Sequence, residues 1–244
     1  TVASYAAFVE TYWQLGESTR VTLGGRYTKE KKAFNVQKPA VPVAEGGPYF
    51  CPDPTSAHVP CRTGKLSFSK FTPRVSIDHK FGEDVMAYAS WSRGFRSGGW
   101  NGRPGSTPDT IGPYDPETVD SAELGLRTKF LDNKALFNVT VFQTDYKNKQ
   151  EDQITSNPVA PATTITFVRN AGEARFRGIE VEAQLKPTSD IHFFASGGYL
   201  SGKYLKFLDA AGNDIRANRI LRYAPKWTAS LGAEVTMPIG DDDS

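Results

Sequence analysis

The chain has 244 residues, a formal net charge of +2 and a pI near 8.4, a balance that argues against a nucleic-acid binder held by counterion release. Its 12% aromatic content, 22 glycines and 16 prolines favour strands and turns over helices and argue against a disordered chain. No apolar run reaches the ~18 residues that a transmembrane helix needs, which leaves strand-built membrane proteins open.

The first segment alternates strictly. Tyr5, Ala7, Val9, Thr11, Trp13 and Leu15 share one face, with Ser4, Ala6, Phe8, Glu10, Tyr12 and Gln14 on the other. A period of two predicts a strand. After a short turn at 15–18, Val21, Leu23, Gly25 and Tyr27 lie opposite Arg20, Thr22, Gly24, Arg26 and Thr28. A long polar connection at 37–64 follows and carries both cysteines, Cys51 and Cys61. A local disulfide in an oxidising compartment is the plain expectation. A zinc site using His58 is the competing one, but four ligands at recognised spacings are not found, so no metal is expected.

The next strand sets Val75, Ile77, His79 and Phe81 against Arg74, Ser76, Asp78 and Lys80, and ends in the short turn 81–84. A strand over 85–93 leads into a long Gly-, Arg- and Trp-containing connection at 94–117. Ala122, Leu124, Leu126 and Phe130 then oppose Glu123, Arg127 and Lys129 before the short turn 131–134. The strand at 135–146 is ambiguous in facing, because Phe142 and Tyr146 interrupt its polar set. A long connection is predicted over 147–164. Ile179, Val181, Ala183 and Leu185 oppose Glu180, Glu182 and Gln184, and the short turn 186–190 precedes a strand at 191–202. A last long connection, 203–223, precedes "WTASLGAEVTM", where Trp227, Ala229, Leu231, Ala233, Val235 and Met237 share a face.

Short and long connections alternate along these nine or so strands. In an up-and-down meander, all short turns then lie at one end and all long loops at the other, as in outer-membrane barrels. Aromatics mark both edges of the apolar face. Trp13, Phe81 and Phe130 sit at short-turn ends, while Trp91, Tyr199 and Trp227 sit toward long-loop ends, matching interfacial girdles. The predicted fold is therefore all-β: an up-and-down antiparallel transmembrane β-barrel segment of about nine strands, an incomplete barrel. A soluble sandwich would share the alternation.

Catalytic constellations are not found. The histidines are His58, His79 and His192, and neither strand histidine has a triad or metal partner near it in sequence. Glu180 and Glu182 share one strand face, which fits a hydrated wall better than acid–base work. There is no GxGxxG or GxxxxGK[ST]. No enzyme activity, cofactor or nucleic-acid partner is expected.

Four segments carry a resemblance to a known family: "VMAYASWSRGFRSGGWNGRP", "YDPETVDSAELGLRTKFLDNKALFNVTVFQTDYKNKQ", "VRNAGEARFRGIEVEAQLKPTSDIHFFASGGYLSGKY" and "YAPKWTASLGAEVTMPIG". In this order they resemble the barrel of TonB-dependent outer-membrane receptors. The resemblance implies a Gram-negative outer-membrane location and active uptake of a scarce nutrient, most often an iron–siderophore complex. It also implies a plug domain, energy from the TonB–ExbB–ExbD complex, contact with outer-membrane lipid and lipopolysaccharide, and a whole barrel of about twenty-two strands. Residues 1–244 are accordingly expected to be an internal part of such a barrel, without plug, TonB box or C-terminal strands. Ligand capture is expected from Arg93, Phe95, Arg96, Trp100, Asn101 and Arg103, with Tyr114, since arginine pairs with anionic chelate groups and aromatic rings stack on flat ones. The alternatives are a soluble all-β carbohydrate- or ligand-binding module, and a passive porin.

Overall fold

A computed structural model describes residues 1–37, 61–101, 112–157, 160–209 and 211–237. Eleven strands follow in chain order: β1 (Val2–Leu15), β2 (Thr19–Gln37), β3 (Cys61–Lys80), β4 (Val85–Arg96), β5 (Gly99–Trp100), β6 (Pro113–Tyr114), β7 (Glu117–Phe130), β8 (Ala135–Asn157), β9 (Ala160–Leu185), β10 (Ile191–Phe207) and β11 (Trp227–Val235). Nine of them form one antiparallel sheet in the order β1-β2-β3-β4-β7-β8-β9-β10-β11, and β5 pairs with β6 alone. Each main strand pairs with its neighbours in sequence, which is the predicted meander. β1 and β11 are its two open edges.

The short turns fall where the sequence predicts them. Gly16 (φ +69) and Gly82 (φ +100) supply the left-handed backbone in two of them. In the third, Leu131, Asp132 and Asn133 all have φ between +54 and +65, and the Lys134 N–H donates to the Leu131 carbonyl at 3.1 Å. Asp and Asn tolerate this region better than most residues, which is why "LDNK" serves as a turn.

The pairing register sorts the side chains into two faces, because residues directly opposite one another point to the same side. One row runs uninterrupted across all nine strands: Trp13, Val21, Ile77, Ala89, Leu124, Val141, Ile179, Tyr199 and Trp227. Every member is apolar or an amphipathic aromatic, and most are exposed; Leu124 is 57% and Trp227 74% accessible. On the opposite face the corresponding row reads Arg20, Asp78, Tyr88, Gly125, Thr140, Glu180, Gly198 and Thr228. The polar face is the more crowded one, with Thr22 and Thr28 both buried.

Crowding on the polar face is relieved by pairing a ring with a glycine directly across the strands. Tyr88 faces Gly125, Phe142 faces Gly178, Phe176 faces Gly202 and Phe194 faces Gly232. A Cβ at Gly125 would lie 2.1 Å from the Tyr88 ring, so each ring occupies the space that the glycine leaves. This resolves the facing of β8: Phe142 belongs to the polar face and lies over Gly178.

All four predicted long loops yield residues to strand, β3 starting at Cys61 and β10 running to Phe207, and two of them change most. The connection expected over 147–164 is largely strand, with β8 running to Asn157 and β9 starting at Ala160. "TTITFV" in β9 is β-branched and aromatic, and Ile165 and Phe167 are buried, so the hairpin continues beyond the rest of the sheet. Within 94–117, β4 extends to Arg96, and β5 and β6 form a small ladder of their own. The disulfide expectation lies outside the described residues, since it needs Cys51; so does the His58 alternative.

Candidate functional site

The loop end of the polar face is built differently from the wall beneath it. Register shifts gather there, between Tyr146 and Lys149, Lys149 and Gln150, and Ser156 and Asn157 in β8 and between Tyr204 and Lys206 in β10, and Asn148 has φ +52. Bulges of this kind re-aim the side chains that follow them. Beyond β10 the chain turns back on itself. Leu208 bridges Asp214, a 3-10 turn covers Arg216–Asn218, and residues 219–223 return over the strand ends. Two carboxylates hold this turn. Asp209 accepts from the Asn213 backbone N–H at 2.9 Å and from its side-chain amide at 3.2 Å. Asp214 accepts from the backbone N–H groups of Phe207 and Arg216, both at 3.1 Å.

This returning segment, with β8, β9, β10 and the end of β4, encloses a cavity of about 400 Å³. Rings line one part of it: Phe176, Tyr204, Phe207 and Tyr223. Phe207 is buried, meets Tyr204 edge-on at 4.9 Å, and carries the Arg219 guanidinium 4.9 Å from its centroid. The Tyr204 hydroxyl donates to Glu151 at 2.7 Å, and Lys149 donates to the same carboxylate oxygen at 2.6 Å. That neutralises Glu151. Arg96, Arg219 and Arg222 also line the cavity and form no salt bridge among the described residues. Tyr223, fully exposed and at φ +56, stands at the mouth. A cavity of this size, with flat rings and surplus cations, is suited to an anionic ligand with aromatic or planar groups.

The ligand candidates named from the sequence separate into three sets. Arg96 lines the cavity. Arg93 and Phe95 follow Ala89 and Trp91 on the apolar face, turned away from it; Arg93 is held by Asp120 through two bonds of 2.7 and 3.0 Å. Trp100, Asn101 and Tyr114 are framework. Trp100 stacks on Phe34 at 5.2 Å, and Tyr114 pairs with Gly99. Asn101 is buried and pairs like a backbone unit with Val168, donating to its carbonyl at 2.9 Å and accepting from its N–H at 2.6 Å. Arg103 lies outside the described residues. The aromatics expected at membrane edges all lie on the apolar face; Arg93 stacks over Trp91 at 5.6 Å, and Tyr199 meets Trp227 at 4.7 Å.

Most cavity residues were not singled out from the sequence. They come from four segments of the chain, and only the Arg/Tyr content of "RANRILRY" hints at them. A second, mainly polar cavity of about 450 Å³ lies lower on the same face, lined by Arg127, Asn138, Glu180 and Glu182 among others. Glu182 accepts from Asn138 at 3.2 Å and from Gln184 at 3.0 Å, the arrangement of a hydrogen-bonded wall. Among the described residues no group of three or more His, Cys, Asp or Glu could hold a metal ion.

A family model described as "TonB dependent receptor-like, beta-barrel" matches residues 1–240. Among solved structures, the ferric yersiniabactin uptake receptor FyuA from Yersinia pestis superposes with a TM-score of 0.72 at 16% identity, covering 97% of this chain and 32% of its own. The siderophore receptor PiuA from Acinetobacter baumannii gives 0.65 at 20% identity, covering 95% and 31%. The copper transporter OprC gives 0.65 at 17% identity, covering 96% and 33%. At these identities the likeness is one of fold. The chain spans about a third of the length of the solved structures it matches.

Proposed function

The chain belongs to the TonB-dependent receptor-like β-barrel family, and from that premise we propose that it builds the ligand-capturing part of a receptor wall for uptake of an iron–siderophore complex. It is a segment of an outer-membrane β-barrel of Gram-negative type, with the apolar face toward lipid and the polar face toward the lumen. The observation that carries the substrate reading is the cavity at the loop end, where Arg96, Arg219 and Arg222 surround Phe207, Tyr204 and Tyr223. A ferric chelate with anionic, planar binding groups matches that chemistry. FyuA and PiuA support an iron chelate, while OprC marks how far substrates vary on one fold.

Energy would come from the TonB–ExbB–ExbD complex acting through a plug domain. The wall itself supplies binding rather than catalysis. An exposed apolar row spanning nine strands supports the membrane reading over a soluble binding module, whose apolar faces would be covered. The test is uptake of radiolabelled iron by cells making the full-length receptor, over a panel of ferric siderophores, with and without functional TonB. TonB-dependent uptake of one anionic chelate is expected. Uptake that persists without TonB would return the reading to a passive porin.

A further inference from the structure

Arg96 and Glu117 stand directly opposite each other where β4 ends and β7 begins, on the face that carries the cavity. Opposite charges so placed attract and favour a salt bridge. Among the described residues they form none. Arg96 is exposed and lines the cavity, whereas Glu117 is buried and its carboxylate accepts from the Gln150 backbone N–H at 2.6 Å. The ladder explains the choice. β7 and β8 pair only as far as Thr118 and Lys147, and β8 then bulges. The Gln150 N–H has no β7 carbonyl opposite it and takes the carboxylate instead.

The Gln150 side chain completes the arrangement. Gln150 is buried, and its amide donates to the Ser97 carbonyl at 3.0 Å and to the Asp115 carbonyl at 3.1 Å, which commits both of its N–H groups. Ser97 follows Arg96 in the chain, and Asp115 precedes Glu117 by two residues. Asn170 holds the same point, accepting from the Asp115 N–H at 2.6 Å and donating to its carbonyl at 2.8 Å. The backbone beside each member of the Arg96–Glu117 pair is thus tied to the β8–β9 hairpin.

We infer that Gln150 is a positioning residue for ligand capture. Its backbone N–H occupies Glu117 and its carboxamide fixes the chain beside Arg96, so the guanidinium is kept from its internal carboxylate and left to the ligand. The inference rests on the cavity reading above and deepens it. Its physical basis is competition, since Glu117 and an anionic chelate offer the same guanidinium the same kind of acceptor. Without the clamp Arg96 pairs with Glu117, and the ligand meets a site that is open only part of the time.

The test measures binding of a ferric tris-catecholate, a multiply anionic aromatic chelate, to the full-length receptor in detergent. Gln150→Met keeps the side-chain length and removes both donors, and affinity is expected to fall about tenfold. Adding Glu117→Gln should restore most of it, because the competing charge is gone while an acceptor for the backbone N–H at position 150 remains. A merely structural loss would not be repaired in this way. Arg96→Gln should weaken binding by itself and make Gln150→Met silent. Asn170→Ala frees Asp115 from the other side, should give the same loss and rescue, and carries the test if Gln150→Met lacks the heat-modifiable band of the folded barrel. Wild-type affinity in Gln150→Met or in Arg96→Gln, failure of Glu117→Gln to rescue, or an equal further loss in the Arg96→Gln background would overturn the inference alone. If the wild type does not bind the chelate, or Arg219→Ala combined with Arg222→Ala binds it normally, the cavity reading fails and this inference falls with it.

Discussion

Trp13 and Trp227 stand in one register row although eight strand-to-strand steps separate them. Trp13 lies two residues from the short-turn end of β1, whereas Trp227 opens β11 at its long-loop end, beside Tyr199, the ninth residue of β10. In a sheet of strands tilted by about 40° and spaced ~4.8 Å apart, eight steps climb roughly 25 Å along the membrane normal. That is the height of an outer-membrane apolar band. A single row thus joins one predicted aromatic girdle to the other.

Charge on the two faces should therefore have opposite outcomes. Leu124→Arg puts a cation in the middle of the apolar row, and a loss of about 2–4 kcal/mol is expected. Thr140→Arg, on the polar face beside Glu180, should cost far less. Urea unfolding of the full-length receptor in lipid vesicles compares the two; equal losses would contradict the facing.

The ring-over-glycine pairs on the polar face predict a steric coupling. Gly125→Val should destabilise the barrel by about 1–3 kcal/mol, because its Cβ enters the Tyr88 ring. Adding Tyr88→Ala should restore part of that loss, read as the temperature at which the heat-modifiable band disappears. A double variant no more stable than Gly125→Val alone would argue against the coupling.

Loop order beside the cavity should depend on acid. The Asn213 backbone N–H, followed by its side-chain amide, holds the Asp209 carboxyl below its usual range, and the Phe207 and Arg216 N–H groups do the same for Asp214. A folded value below the unfolded one means the stabilisation is complete above about pH 4 and is lost as pH falls through the lowered values. Hydrogen-exchange protection over residues 211–216, taken relative to the intrinsic amide rate at each pH, should be high at neutral pH and fall as the pH drops below about 4. Asp209→Asn combined with Asp214→Asn should show the low protection already at neutral pH.

Asn101 is expected to act as a loop anchor rather than a ligand contact. Asn101→Ala leaves the Val168 N–H and carbonyl unpaired at a buried position, a local cost of about 1–3 kcal/mol. Limited proteolysis should cut the 94–117 connection faster in this variant, with a change in ligand affinity much smaller than that from the cavity arginines.

The wall was legible in the sequence because a half-lipid, half-water environment writes itself as a period of two. "WTASLGAEVTM" gives both faces of β11, and "LGES", "FGED" and "LDNK" give the turns. Counting by twos from Ala89 also sets Arg93 on the apolar face, a consequence that the Gly- and Arg-rich character of its surroundings obscured. Above the membrane the signal fades. "KNKQEDQITSN" is polar on both faces because both meet water or other loops, so the extension of β8 read as loop. The cavity was not legible, because it joins Arg96, Tyr204 and Arg222 through bulges and a returning segment that local pattern does not encode. The pairing of Asn101 is hidden for a similar reason, since its partner Val168 is 67 residues away.

The most direct test of the account is ferric-siderophore affinity of the purified full-length receptor with Arg219→Ala and Arg222→Ala combined. Both guanidinium groups line the cavity at the loop end, and neither has an ion-pair partner among the described residues to lose. The account predicts a fall in affinity of about tenfold or more, with the heat-modifiable band unchanged and Arg93→Ala close to wild type. Wild-type affinity in the double variant, or a larger loss from Arg93→Ala on the opposite face, would contradict it.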